Sequence, residues 1–124
     1  MNIDVLSNIL LEDTFVLAWH RGHESLTFYV LASLQRTHSA ASTPTHGDWA
    51  CYRPGIIQFS GVSSVQGLLR QDAVKPAIDA EGSVDYGCID SISVVQPSGC
   101  RIVGDFGDVL VVARKVLFYL AAAD

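Results

Sequence analysis

The chain has 124 residues, the length of one domain spanning 1–124, and is long enough to bury a core without help from a metal or a disulfide. Hydrophobic residues make up 49% and charged residues only 17%, below the usual quarter or so, so some apolar surface is expected to face a partner. The net charge of −5, with eight scattered Lys and Arg and no basic run, argues against nucleic-acid binding, which needs cations to displace counterions from phosphates.

The N-terminus, Met1-Asn2-Ile3-Asp4-Val5, has no positive n-region and carries an early acid, so no secretory signal is expected. Three cysteines, Cys51, Cys88 and Cys100, cannot all pair within one chain, and reduced thiols in a cytoplasm are the default expectation. The longest apolar run, 116–123, is far short of the ~20 residues of a spanning helix, so no membrane association is expected.

In residues 2–12, Ile3, Leu6, Ile9 and Leu10 have helical spacing, and Asn2 or Asp4 is placed to cap the start. The segment reads as a short helical or irregular arm. Residues 14–20 and 25–34 then alternate with period two around Arg21-Gly22-His23-Glu24, which predicts an antiparallel hairpin. Strict alternation puts Phe15, Leu17 and Trp19 on one face, with Phe28 and Val30 packed nearby.

Residues 35–48 hold no large apolar side chain and read as a long polar loop, a usual carrier of binding residues. Residues 49–53 read as a strand, Pro54-Gly55 as a turn and 56–59 as the returning strand. Gly61 predicts a bend before 62–65, and Pro76 keeps any helix in 68–80 short. Residues 79–83 are turn-like. In 86–95 the alternation slips, which predicts a bulge near Ile89-Asp90. Pro97-Ser98-Gly99 makes the next turn, and strands are expected at 100–103, 109–113 and 115–120. The fold class is therefore β-rich, all-β or α+β: a curved antiparallel sheet or small sandwich with a short N-terminal helical arm.

No constellation demands chemistry. His20, His23, His38 and His46 match no common zinc spacing, and no Cys-x-x-Cys exists. The three cysteines read as small core thiols rather than nucleophiles, which need a base within hydrogen-bond reach. The acids of 79–90 do not follow the ligand pattern of a calcium loop. Gly104-Asp105-Phe106-Gly107-Asp108 leads into no helix, so it is a strand-to-strand bend with Phe106 tucked inward rather than a phosphate loop. No catalytic, cofactor-binding or metal-binding residue is assigned.

Arg101-Ile-Val-Gly-Asp-Phe-Gly-Asp-Val-Leu-Val-Val-Ala113, preceded by Tyr86-Gly-Cys-Ile-Asp-Ser-Ile92, resembles the closing strands of small uncharacterised bacterial β-rich proteins, some of which are immunity-type factors that bind a toxin. The resemblance covers 86–113, about a quarter of the chain, and supplies no site residue. It implies a bacterial protein-binding, inhibitor-like domain without catalytic activity, presenting 35–48 and 79–90. The alternative is a ligand-binding domain or small enzyme with a pocket lined by Trp19, Trp49 and Tyr52. Residues 109–113 and 116–120 are apolar on both strand faces, which predicts a homo-oligomer, a dimer, through the C-terminal segment.

Overall fold

The computed structural model describes residues 1–35 and 51–121. The polar loop expected at 35–48, with His38 and His46, falls outside the described residues except for Gln35, as does Trp49. In chain order the strands are β1 (Phe15–Arg21), β2 (Ser25–Leu34), β3 (Cys51–Ser60), β4 (Ser64–Leu68), β5 (Ala77–Ile78), β6 (Val84–Asp85), β7 (Ile89–Val95), β8 (Gly99–Gly104), β9 (Gly107–Val112) and β10 (Lys115–Leu120). They form two antiparallel four-stranded sheets, ordered β1-β2-β3-β10 and β4-β9-β8-β7, and a small β5-β6 ribbon. The β-rich expectation holds, and the molecule takes the sandwich form of it.

The chain crosses between the sheets at two adjacent corners. At one, Gly61 bends with φ 65°, a left-handed conformation that suits glycine, and carries β3 into β4. At the other, Ala113 and Arg114 carry β9 into β10. The corners are tied by Ser63 N donating to Val112 O (2.8 Å) and Arg114 N donating to Ser60 O (3.0 Å). On the opposite side, Val16 N donates to Gly87 O and Tyr86 N to Val16 O, both at 2.8 Å, so the edge of β1 meets the run leading into β7.

Two sets of inward side chains fill the space between. Val16, Trp19, Leu26, Phe28, Ile57 and Phe59 come from the first sheet, and Cys100, Ile102, Val109 and Val111 from the second. Phe106 closes the core from the two-residue turn between β8 and β9. It is fully buried, 4.8 Å between ring centroids from Phe28 and 6.0 Å from Trp19. Aromatic pairs at such separations add about 0.5–1.5 kcal/mol each beyond area burial. The bend read from Gly104 and Gly107 is thus a hairpin turn, and the two glycines pair directly across it.

The N-terminal arm is two 3₁₀ turns, Asp4–Leu6 and Leu11–Asp13. Between them, Leu10 N donates to Ser33 O and Asn8 O accepts from Gln35 N. The arm therefore prolongs the β1 pairing along the end of β2, while Leu6 and Ile9 drop into the core.

Two expectations are corrected. Phe15, Leu17 and Trp19 do not share a face. Val16 lies opposite Val30 and Ala18 opposite Tyr29, leaving Leu17 as the extra residue of a bulge. The bulge turns Val16 and Trp19 both inward and puts Leu17 outside, 37% exposed. Pro54-Gly55 is not a turn, because β3 runs straight through it. Pro54 O accepts from Ala121 N (2.9 Å), so its nitrogen side faces the end of β10, and Arg53 Nη2 donates to Ala121 O (2.8 Å) where a proline cannot. Gly55 is buried opposite Leu120, and a Cβ there would lie 2.8 Å from Tyr119 O, so the sequence uses glycine to let β10 close in. The bulge expected near Ile89-Asp90 is present, with register lost between Ile89 and Ser91.

The inward and outward assignments are separable by mutation. Phe28→Ala should cost about 3–5 kcal/mol, because a fully buried ring leaves a cavity. Leu17→Ala should change stability by no more than about 0.5 kcal/mol, the range of a surface substitution. Urea unfolding midpoints measure both, and comparable losses would contradict the β1 bulge.

Candidate binding surface

The outer face of the first sheet carries a row of apolar and aromatic residues across all four strands. Tyr29 in β2 lies opposite Ile56 in β3, and Ile56 lies opposite Tyr119 in β10. The β1 bulge sets Leu17 beside Tyr29 and completes the row. Tyr29 is 42% and Tyr119 52% exposed, while Ile56 is half-buried between them. With Pro54 they line a shallow apolar hollow of about 330 Å³. Leu31 and Leu117, both half-buried, continue the same face. The rigid aromatic area of two exposed tyrosines on one sheet face is the chemistry that interface anchors use.

The face ends in a polar clasp. Asp13, in the second 3₁₀ turn, accepts hydrogen bonds at one carboxylate oxygen from Tyr52 Oη (2.7 Å) and Ser33 Oγ (2.9 Å). Thr14 Oγ1 accepts from Ser33 N (3.2 Å) and donates to Leu10 O (2.7 Å). These bonds fasten the arm to β2 and β3. Burial pushes the Tyr52 phenol up to about 12, helped by its bond to Asp13 and by that carboxylate's charge.

The remaining sequence candidates are scattered. His20 is exposed at the end of β1 and His23 is exposed in the following turn. Among the described residues, no group of three or more His, Cys, Asp or Glu side chains is placed to hold a metal ion. Cys51, Cys88 and Cys100 form no disulfide. Burial pushes the Cys100 thiol up to about 11. Burial also raises Cys88, and the carboxylates of Asp13, Asp85, Asp90 and Asp105 add to it. Both environments oppose the thiolate that nucleophilic chemistry requires.

In the acidic segment, Asp79 Oδ1 accepts from Glu81 N and Ser83 N (both 2.9 Å), and Asp85 Oδ1 accepts from Gly87 N (2.8 Å). These two carboxylates hold their own turns. Of the three aromatics expected to line a pocket, Trp49 lies outside the described residues, and Trp19 and Tyr52 have separate surroundings. The Trp19 ring packs edge-on to Tyr86 and Phe106, whereas Tyr52 bonds Asp13 and lies 6.1 Å from the Phe15 ring.

The surface row is hidden in the sequence, because strict alternation conceals Leu17 and the turn chemistry of Pro54-Gly55 splits β3. The outward parity of Tyr29 and Tyr119 was the signal that could have found it. No family model, curated protein or solved structure matches the chain. Among the described residues, no helix is long and apolar enough to cross a membrane.

The clasp has a pH signature. The folded Tyr52 phenol holds its proton more tightly than the unfolded one, so this contribution to stability is complete below pH 10 and is lost as pH rises from 10 towards 12. Absorbance at the tyrosinate band should show a step near pH 12 that vanishes in Tyr52→Phe and moves down in Asp13→Asn. An unmoved step in Asp13→Asn would contradict the bond. Separately, an aromatic disulfide reagent at neutral pH should leave Cys100 unlabelled in the folded protein and label it fully in denaturant. Rapid labelling of folded Cys100 would contradict its burial.

Proposed function

We propose that this chain is a non-catalytic, soluble protein-binding domain of the bacterial immunity or inhibitor kind, which docks through the outer face of its first sheet. The observation that carries the reading is the row Leu17, Tyr29, Ile56 and Tyr119, an apolar band that the fold leaves open across four strands. Single exposed apolar residues are ordinary, whereas a contiguous apolar band on one sheet face is the kind of surface that partners cover, and this supports the reading. The likeness of 86–113 to small bacterial β-rich proteins supports the inhibitor role, and the reduced-thiol reading of the cysteines suits a cytoplasm.

The first partner in this proposal is a second copy, giving a homodimer. Of the C-terminal segment, β9 is central in its sheet, with Val109 and Val111 turned inward, and contributes little. β10 is an edge strand, with Val116 inward and Tyr119 outward. A two-fold axis that sets the outer faces of two copies against each other beside β10 would pack one tyrosine row on the other and bury the same residues on both copies. A toxin-type partner would cover the same face. A toxin gene beside this one favours the inhibitor role, whereas a metabolic operon favours ligand binding.

Light scattering at micromolar concentration should give twice the chain mass. Tyr119→Lys and Tyr29→Lys should each weaken association at least tenfold, with melting temperature little changed, because both side chains are substantially exposed. A wild-type monomer, or variants that associate like the wild type, would overturn the dimer and remove this face from it.

A further inference from the structure

The opposite side of β1 carries a second and chemically different site. Its outer edge is met by the segment 68–72, which Trp19 fixes in place. The indole Nε1 donates to Leu69 O (2.9 Å), and the Trp19 backbone N donates to Gln71 Oε1 (3.0 Å). Between β1, this segment and Tyr86 lies an open cleft of about 590 Å³, within the range of small-molecule sites. Its lining combines apolar and aromatic residues, Leu68, Leu69, Tyr86 and Trp19, with Arg21, Arg70, Asp72 and the exposed His20.

Charge gives this cleft its meaning. The chain as a whole is acidic, at −5, yet the lining of this cleft includes two arginines and a histidine against one carboxylate. Arg70 pairs with Asp72 (2.7 Å) on the open rim. Arg21 has no carboxylate partner among the described residues. Its Nη1 donates to Gly22 O (3.2 Å) and Ser25 O (3.3 Å), which holds the side chain against the hairpin turn and leaves Nε and Nη2 available. A guanidinium fixed by one nitrogen and open at two others is set up to receive an oxyanion through a pair of parallel bonds.

We propose that this cleft binds a small molecule bearing one oxyanion, a carboxylate or phosphate, joined to an apolar or aromatic ring. The oxyanion sits on Arg21, assisted by Arg70 and His20, and the ring lies against Tyr86 and Leu69. This site is independent of the tyrosine row on the outer sheet face.

The probes are benzoate, phenyl phosphate, inorganic phosphate and benzyl alcohol, each titrated into the full chain and followed by amide chemical shifts. Benzoate or phenyl phosphate should move the amides of Arg21, Leu69, Gln71 and Tyr86 saturably, and the tighter of the two identifies the head group. Benzyl alcohol, without the charge, and inorganic phosphate, without the ring, should each bind at least tenfold more weakly. Arg21→Gln should weaken the better probe at least tenfold with the remaining amide pattern unchanged. Asp72→Asn, which releases Arg70 and removes the one opposing charge, should tighten it two- to threefold at low salt. Absence of saturable shifts at these residues, or binding unaffected by Arg21→Gln in a folded protein, would overturn the site. Weaker anion binding in Asp72→Asn would overturn the role of Arg70.

Discussion

The contact of Phe106 with Phe28 and Trp19 is the one on which the two sheets depend. Phe106 sits in the tightest turn of the second sheet, yet its ring is fully buried among side chains of the first. A turn residue is normally given to solvent. Here the pairing of Gly104 with Gly107 lets the hairpin reverse in two residues while the ring swings inward. A Cβ at Gly104 would collide with that ring, and one at Gly107, whose φ is 127°, would strike Gly67 across the β4 pairing. The sequence places glycine where backbone or ring comes too close for any side chain. The aromatic cluster then orients the sheets that the two corners already connect.

Filling the interior this way moves function outward. Trp19 is spent on the core with one edge and on anchoring residues 68–72 with its indole nitrogen, so it shapes a cleft without opening an internal pocket. The β1 bulge has a parallel effect on the other face: by inserting Leu17 it keeps Val16 and Trp19 both inward and adds an apolar residue to the exposed row. One short strand therefore defines both surfaces on which the functional reading rests.

Much of this architecture was legible in the residues. The first hairpin, the Gly61 bend, the slip at Asp90 and the inward Phe106 each follow from period-two patterning and glycine placement. The failures have physical causes. A bulge costs nothing in composition, so Phe15-Val16-Leu17-Ala18-Trp19 reads as perfect alternation until the partner strand sets the register. Pro54-Gly55 has the chemistry of a turn, and only the rescue of Ala121 O by Arg53, with the need for β10 to approach Gly55, reveals an unbroken strand. Neither of the two proposed surfaces was visible as a motif. The tyrosine row joins residues 17, 29, 56 and 119, and the cleft joins 19–21, 68–72 and 86, so both are products of strand order rather than of local sequence.

The central claim is that Phe106 closes a single core between two sheets and leaves their outer surfaces to function. Proton–proton Overhauser contacts measured in solution test it most directly. The account predicts strong contacts from the Phe106 ring to the rings of Phe28 and Trp19, with Phe106 ring shifts well displaced from their solvent-exposed values. A Phe106 ring with exposed-type shifts and no contact to either would contradict it, and with it the fold on which both surfaces are drawn.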